Sequence, residues 1–270
     1  MIDPLTRREF IALSAQAVSL CAAGHLPLLA ADASGTGAPL ATDAVEPIDG
    51  YLSSFRPVKP QAKLPNTLEY AMVMWQGRDV KGTGKTRNGI RGSARVRRAE
   101  RADAVEYEVR LRHSAEPAER VTKYECSRNE LGTLKAFRSY HRSQKGLKER
   151  STDTGQFTGK QLRLSGTSRP WTIEEPLLDA WFIPFLLMRK QLPNAIRVTC
   201  VSEGTAVLLH QWINKRSGAK IPIADGEVLP MQVWSRHGPG TLPVHYLLDE
   251  SGLPQLMTAG IMSWALKSVG

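Results

Sequence analysis

The segment Trp171–Leu192 constrains the fold most, because it is the one stretch of the sequence that predicts a substantial helix. From Leu177 to Met188 only Asp179 and Pro184 interrupt the apolar residues, so apolar side chains would surround the whole helix. A helix of this kind is normally buried, and about a dozen apolar residues are too few to span a bilayer. We therefore expect a buried helix at about residues 176–191 across an open face or mouth of a β-sheet, with Pro184 kinking or dividing it.

The chain after residue 66 otherwise has the pattern of antiparallel strands separated by turns. Ala104–Arg112 is the clearest strand, because apolar and charged residues alternate as they do in a half-buried strand. Strands and helices do not alternate, which disfavours a parallel sheet. The sequence predicts a mainly β fold, an antiparallel up-and-down barrel or half-barrel with one inserted buried helix near 176–191. The predicted strands are Thr67–Trp75, Ser93–Arg101, Ala104–Arg112, Arg120–Cys126, Thr133–His141, Leu147–Thr152, Gln156–Ser165, Ala195–Ser202, Thr205–Asn214, Val228–Arg236, Pro243–Leu248 and Leu256–Lys267.

The first 33 residues have the features of a twin-arginine signal peptide. Arg7 and Arg8 precede a mildly apolar run, Phe10–Ala31, and small residues follow at the two positions that a signal peptidase reads. A transmembrane anchor fits less well, since several polar residues and Pro27 interrupt the run. We therefore expect export by the twin-arginine route to the periplasm or the medium.

Residues 34–65 are rich in Ala, Gly, Pro and Asp without a sustained period, which is typical of a linker. Tyr51–Phe55 is the part of this linker that we expect to touch the domain. The predicted organisation is a signal peptide over residues 1–33, a linker over 34–65 and a single β-barrel-like domain over 66–270.

Charge and cysteine content are compatible with an exported globular protein. The whole chain has a formal net charge of +10, and removal of residues 1–33 leaves 34 basic and 23 acidic residues. These charges are spread along the chain, so we interpret them as a solvated surface rather than a nucleic-acid site. Cys126 and Cys200 remain after export, and their spacing leaves open whether they form a disulfide or are two buried thiols.

Both ends of the predicted domain resemble a family of exported, largely uncharacterised bacterial proteins with a lipocalin-like antiparallel β-barrel. LEYAMVMWQGRDVKGTG (Leu68–Gly84) resembles the opening of these proteins, and LPVHYLLDESGLPQLMTAG (Leu242–Gly260) resembles their closing hairpin. A short helical segment interrupts the strands in that family as well. The resemblance covers about residues 67–270 and implies a barrel or half-barrel with an interior, but it transfers no catalytic residue.

Aromatic residues in the predicted strands and helix are candidates for lining this interior, because alternate residues of barrel strands point inward. Trp181, Trp212, Trp234 and Tyr246 are the candidate ligand-binding residues. The alternative is that most of them belong to an ordinary core.

His210, His245 and Asp179 are the candidate catalytic residues. A histidine on an inward face, paired with a carboxylate, can act as a general acid or base, although a histidine hydrogen-bonded in the core is the alternative. A carboxylate among apolar residues is costly unless a partner satisfies it, so we expect Asp179 to contact His210, His245, an arginine or another polar group. Glu174 and Glu175 are further candidate carboxylates, but a helix dipole alone would favour acids at the predicted helix start.

A basic run interleaved with aromatic residues crosses a predicted hairpin. In an exported protein, an anionic glycan or a membrane surface suits such a run better than nucleic acid does. The residues are Phe137, Arg138, Tyr140, His141, Arg142, Lys145, Lys148 and Arg150.

Two functions are compatible with the sequence. The first is a non-catalytic exported barrel that binds an apolar or amphipathic small molecule in its interior. The second is a metal-independent enzyme on the same scaffold, a lyase, hydratase or isomerase that uses a His/carboxylate pair. The chain lacks a nucleophile elbow, a zinc signature and a dinucleotide loop, so binding without a cofactor or metal is favoured.

Export should depend on the arginine pair. We expect Arg7→Lys together with Arg8→Lys to leave the full-length precursor in the cytoplasm, because the arginine pair is the feature that identifies this export route. Cell fractionation and immunoblotting measure the distribution. Normal export of the double variant would contradict the predicted signal.

Overall fold

The computed structural model describes residues 42–78, 86–116, 118–143, 150–202 and 206–270. The described residues are dominated by strands, whose bounds follow in chain order. They are β1 Thr67–Arg78, β2 Thr86–Glu100, β3 Ala104–His113, β4 Ala118–Ser127, β5 Leu134–Ser143, β6 Arg150–Thr158, β7 Gln161–Leu164, β8 Trp171–Thr172, β9 Leu177–Asp179, β10 Ala195–Ser202, β11 Ala206–Lys215, β12 Ala219–Pro222, β13 Val228–His237, β14 Val244–Leu248, β15 Pro254–Thr258 and β16 Met262–Val269. The helices are α1 Asp49–Leu52 and α2 Ile183–Met188, with 3-10 turns at Thr42–Ala44, Glu46–Ile48 and Ala224–Gly226.

The strands form one large sheet with the order β8-β7-β6-β5-β4-β3-β2-β1-β16-β15-β14-β13-β11-β10-β9, and β12 pairs separately with β13. Neighbours are antiparallel, except that β9 runs parallel to β10. The predicted mainly β, antiparallel fold is therefore confirmed. Within the described residues the sheet does not close on itself, since β8 and β9 each have a free edge.

Alternation along the strands defines the inner face of the curled sheet. In β3 the residues Val105, Tyr107 and Val109 are buried, and Tyr107 is paired in register with Tyr124 of β4, which is paired with Phe137 of β5. These side chains belong to the main core. The intervening glutamates of β3 lie on the outer face, as the sequence pattern predicts.

The apolar segment after β8 fills the interior, but only part of it is helical. Leu177–Asp179 is a strand, and the helix α2 comprises only six residues, all buried. Pro184 lies in the first turn, where its missing N–H is no loss, so the predicted kink is wrong. The described part of the chain has no helix with the length and apolarity needed to cross a membrane.

Aromatic contacts hold this segment against the inner face. Phe182 stacks on Tyr107 with ring centroids 4.2 Å apart, and Trp181 packs edge-on against Trp264 at 5.0 Å. After α2, the Arg189 side chain reaches Glu100 at the end of β2. The helix therefore occupies the end of the sheet where β2 ends and β1 begins, which we name the helix end.

The residues before β1 cover the opposite face of the sheet. Ala44, Ile48, Leu52 and Phe55 are buried in a second core, which they share with residues such as Val73, Ile221, Val233, Leu247 and Leu256. We name Thr42–Phe55 the N-terminal segment. The sequence analysis predicts a linker that contacts the domain only at Tyr51–Phe55, but the N-terminal segment packs against the sheet along its whole length. Its apolar residues recur at helical spacing, so they lie on one side and face the sheet.

Some strand boundaries differ from the prediction. The sequence predicts separate strands at Leu147–Thr152 and Gln156–Ser165, but the residues between them lie inside β6, where a Cβ on Gly155 would stand 2.1 Å from the Phe137 ring. The predicted strand Leu256–Lys267 is the hairpin β15–β16, and β12 was not predicted. The predicted signal peptide and residues 144–149, which include the start of the predicted strand Leu147–Thr152, lie outside the described residues.

Truncation of Ile48 should destabilise the whole domain, because its side chain is completely buried in the second core. We expect Ile48→Ala to lower the free energy of unfolding by about 2–5 kcal/mol in urea denaturation. Ile90→Ala is the matched control, since Ile90 is 58% exposed, and it should cost less than about 1 kcal/mol. Equal effects of the two changes would show that the N-terminal segment does not belong to the folded domain.

Candidate functional site

The structure brings four of the predicted site residues to the inner face of the sheet. Asp179, Trp181, Trp234 and Tyr246 are all buried. Trp234 and Tyr246 are direct partners in the β13–β14 register. The other three predicted residues, His210, His245 and Trp212, lie elsewhere.

Asp179 is fully buried, and each of its carboxylate oxygens accepts a hydrogen bond. The Tyr124 hydroxyl donates to Oδ2 at 2.9 Å, and the Trp181 backbone N–H donates to Oδ1 at 2.9 Å. The expected polar partner is therefore present, but it is a tyrosine of β4 rather than a histidine. The two bonds satisfy a carboxylate that would be costly if it were buried alone.

Arg236 is a charged residue of the inner face that the sequence analysis missed. It is only 6% exposed, and it is paired in register with Val244 and Ile213. Burial lowers the pKa of Arg236, but its neighbours Tyr246, Cys200 and Asp179 outweigh this and raise the pKa. The guanidinium is therefore cationic. Within the described residues its Nε and Nη1 atoms have no hydrogen-bond acceptor.

Half-buried apolar residues border the inner face at the end opposite the helix end. Met74 and Met262 are register partners near the end of β1 and the start of β16, and Val244 starts β14 beside Arg236. Leu208 belongs to β11, beyond the end of its pairing with β13. We name these four residues the mouth. All four are partly exposed and pack against the main core.

A second polar group lies on the β4–β6 wall of the inner face. Arg120 Nε donates to Ser139 Oγ at 3.0 Å, and the hydroxyls of Thr122 and Ser139 are 3.0 Å apart. Asp153 Oδ2 lies 4.0 Å from Arg120 Nη2. Unlike Arg236, this arginine has a carboxylate and a hydroxyl of the protein beside it.

His210 is paired with Glu175 on the outer face rather than with Asp179. Its Nδ1 is 2.6 Å from Glu175 Oε1. Arg197 Nε forms an ion pair with the same oxygen at 2.9 Å, and the Thr199 hydroxyl donates to Oε2 at 2.8 Å. Burial raises the pKa of Glu175, but these hydrogen bonds and the Arg197 charge outweigh it and lower the pKa. Glu175 precedes a strand and not a helix, so the expected helix-dipole role does not apply.

The backbone at His210 has a φ of 52°, a left-handed conformation that is unusual for a non-glycine residue. It lies at an irregularity in the β10–β11 register, which turns the imidazole towards Glu175 and leaves its side chain 57% exposed. Such strained positions cluster at functional sites. Trp212, 44% exposed, lies opposite Arg197 in the register and therefore faces outward, not into the interior.

His245 lies on the face that the N-terminal segment covers. Its Nδ1 is 2.7 Å from Ser235 Oγ, and its Nε2 is 4.0 Å from Asp43 Oδ2. Burial lowers the pKa of His245 to about 4, although the nearby Asp43 opposes this effect. The sheet separates His245 from Asp179, so these two do not form a catalytic pair.

Cys126 and Cys200 are both free and buried in this structure. Burial raises the pKa of each thiol. In the described part of the chain no three His, Cys, Asp or Glu side chains are grouped so that they could hold a metal ion.

The predicted basic run is divided between the two faces. Phe137 and Ser139 face inward, whereas Arg138 and Tyr140 face outward, with the Arg138 guanidinium 6.0 Å from the Tyr140 ring centroid. Lys145 and Lys148 lie outside the described residues. Binding of an anionic glycan or membrane surface by this run stays a prediction.

Comparisons with known proteins add little to this geometry. No family model matches the chain, and no curated protein matches it. One similar solved structure is a beta-barrel-like protein of the domain of unknown function DUF1849 from Brucella abortus, with a TM-score of 0.40 and 13% sequence identity, covering 76% of this chain and 95% of that one. That likeness is too weak to carry an argument. Export and a lipocalin-like ligand cavity stay predictions.

The buried His245 should make the fold sensitive to acid. Its pKa of about 4 in the folded state is below the ordinary 6.5, so the unfolded state binds the proton first as the pH falls. The contribution of neutral His245 to the free energy of unfolding is fully present above about pH 6.5. It declines as the pH falls towards 4, by about 2 kcal/mol between pH 7 and pH 4.5. Urea denaturation at both values should show a smaller decline for His245→Gln. His113→Gln at the end of β3 should behave as the wild type does, and an unchanged decline in His245→Gln would refute the assignment.

Proposed function

We propose that this protein is a non-catalytic binding protein for a small amphipathic molecule, which enters the inner face at the mouth. The observation that carries the proposal is the difference between the two ends of the interior. At the helix end α2 is completely buried, whereas at the mouth Met74, Leu208, Val244 and Met262 keep part of their apolar surface in contact with water.

The packing of the interior limits where a ligand can bind. Trp181, Phe182 and α2 occupy the space that an empty barrel would offer, so a bound molecule would rest above this segment rather than replace it. Covering exposed apolar surface at the mouth is favourable by roughly 25 cal/mol per Å². Polar groups on two walls, Arg236 and the Arg120–Ser139 pair, would hold the polar part of the molecule.

The proposed setting is the periplasm or the medium, on the basis of the twin-arginine features of residues 1–33. A small molecule is a better candidate partner than a large polyanion. On the outer face of β2–β4, Arg97 and Lys123 flank Glu108 in the register, so basic and acidic side chains neutralise one another there.

The second candidate function is a metal-independent enzyme, and the Glu175–His210 pair is the observation that favours it. Glu175 is hydrogen-bonded to Nδ1 of the exposed His210 ring, so the other ring nitrogen, Nε2, could exchange a proton with a substrate. This site would be on the outer face, and Asp179 would have no part in it. We rank it second because a surface His–Glu ion pair also occurs without any catalytic role.

Binding at the mouth can be tested with the neutral apolar probe N-phenyl-1-naphthylamine, whose fluorescence rises when it leaves water. We expect saturable binding to the wild-type protein. Val244→Glu should weaken it at least about tenfold, because a charged side chain beside Arg236 would replace apolar surface that the neutral probe covers. Val228→Glu is the matched control, since Val228 is 59% exposed at the start of β13, and it should bind as the wild type does.

Failure of the probe to bind the folded wild-type protein would overturn the proposal. Equal affinity of wild type and Val244→Glu would place the binding surface away from the mouth and would also contradict it. Circular dichroism of both variants confirms that they are folded before the comparison is made.

A further inference from the structure

We infer that Arg236 is an anion-binding group, and that the molecule bound at the mouth carries an acidic head such as a carboxylate. This inference rests on the proposed binding function and specifies the chemical class of the ligand. It depends on three observations: the position of Arg236, its hydrogen-bonding state and the balance of charge around it.

Arg236 lies beside the mouth and points inward. It is the second-to-last residue of β13 and is paired in register with Val244, one of the mouth residues. Its inner-face neighbour two residues earlier, Trp234, belongs to the main core. An amphipathic molecule whose apolar part covers Val244 would therefore have its head group within a side-chain length of the guanidinium.

The hydrogen-bonding capacity of Arg236 is only partly used by the described residues, where its side chain has a hydrogen bond with the Cys200 thiol. Two of its three guanidinium nitrogens, Nε and Nη1, have no acceptor there, although only 6% of the residue is exposed to solvent. Buried guanidinium groups normally make several hydrogen bonds, because an unsatisfied charged donor is costly. The strongest acceptor for these two N–H donors would be a negatively charged group such as a carboxylate.

Three other arginines that are buried or partly buried differ from Arg236 because each has a carboxylate nearby. Arg98 and Arg189 each have an Nε without an acceptor in the described residues, but both lie beside the carboxylate of Glu100. Arg120 bonds to Ser139 and lies near Asp153. For Arg236, no carboxylate of the described residues is within 4.0 Å in an ion pair.

Asp179 does not fill this role, although its charge is felt at Arg236. Its two oxygens accept from the Trp181 N–H and the Tyr124 hydroxyl. The neighbouring Cys200 and Tyr246 supply no negative charge near neutral pH, since burial raises the pKa of both. The guanidinium thus keeps a positive charge that a ligand carboxylate would neutralise.

The test compares two ligands that share one chain and differ in the head group. Decanoate and 1-decanol are titrated against the wild-type protein loaded with N-phenyl-1-naphthylamine at pH 7.4. We expect decanoate to displace the probe at a concentration at least about tenfold lower than 1-decanol does, because hydrogen bonds to a buried charge add affinity. Decyltrimethylammonium, which reverses the head-group charge, should be the weakest competitor.

The variant Arg236→Gln should lose this preference, so that decanoate displaces the probe at a concentration no more than about twofold lower than 1-decanol does. Arg163→Gln makes the same change at an exposed arginine of β7 and should keep the full preference. If Arg236→Gln fails to fold, the three competitors on the wild-type protein still decide the question, since they need no variant.

Each outcome separates the two proposals. If the neutral probe does not bind, the proposed function is wrong. If the probe binds but decanoate, 1-decanol and decyltrimethylammonium displace it equally, binding at the mouth stands and the acid-binding role of Arg236 is wrong, with water as the partner of the guanidinium. A preference for decanoate that survives in Arg236→Gln would likewise overturn the inference.

Discussion

The hydrogen bond from Tyr124 to Asp179 is the interaction on which the interior of this protein depends. It joins the last residue of β9, an edge strand, to β4 on the opposite wall, so the two walls of an open sheet are linked through its centre. The same carboxylate accepts the Trp181 N–H and so fixes the chain as it leaves β9. Because a buried carboxylate with no partner costs several kcal/mol, this pair selects one position for the segment. Phe182 and α2 are then placed against Tyr107 and the inner face.

Periodicity in the sequence predicts the parts of the fold that are covered on one side only. The alternation of β3 identifies its inner residues correctly, because one face meets the core and the other meets water. The apolar run at Leu177–Met188 carries no such alternation, so it predicts burial but not conformation. Pairing with the edge of β10 makes Leu177–Asp179 a strand, and only Ile183–Met188 is left to form the helix. That choice depends on a partner distant in the sequence, which periodicity cannot identify.

The candidate site could be predicted in part for the same reason. Trp234 and Tyr246 face inward, and Asp179 has a polar partner, as the sequence indicates. His210 and Trp212 were expected to share an inward face, but the left-handed residue at His210 alters the local pleat, and both lie outside. A single backbone irregularity of this kind leaves no recognisable mark in the residue types, so strand parity alone assigned the wrong face.

Strands β14 and β15 show why a buried polar residue need not be functional. They are buried on both faces, by the interior on one side and by the N-terminal segment on the other. Polar side chains of these strands must find partners within the protein, and they do: Gln255 exchanges hydrogen bonds with the Val58 backbone, and His245 contacts Ser235. Arg236 lies on the adjoining β13 under the same constraint, yet two of its nitrogens have no acceptor in the described residues. The binding role that we propose for Arg236 therefore rests on burial without a full set of acceptors and without a neighbouring carboxylate in an ion pair, rather than on burial or residue type alone.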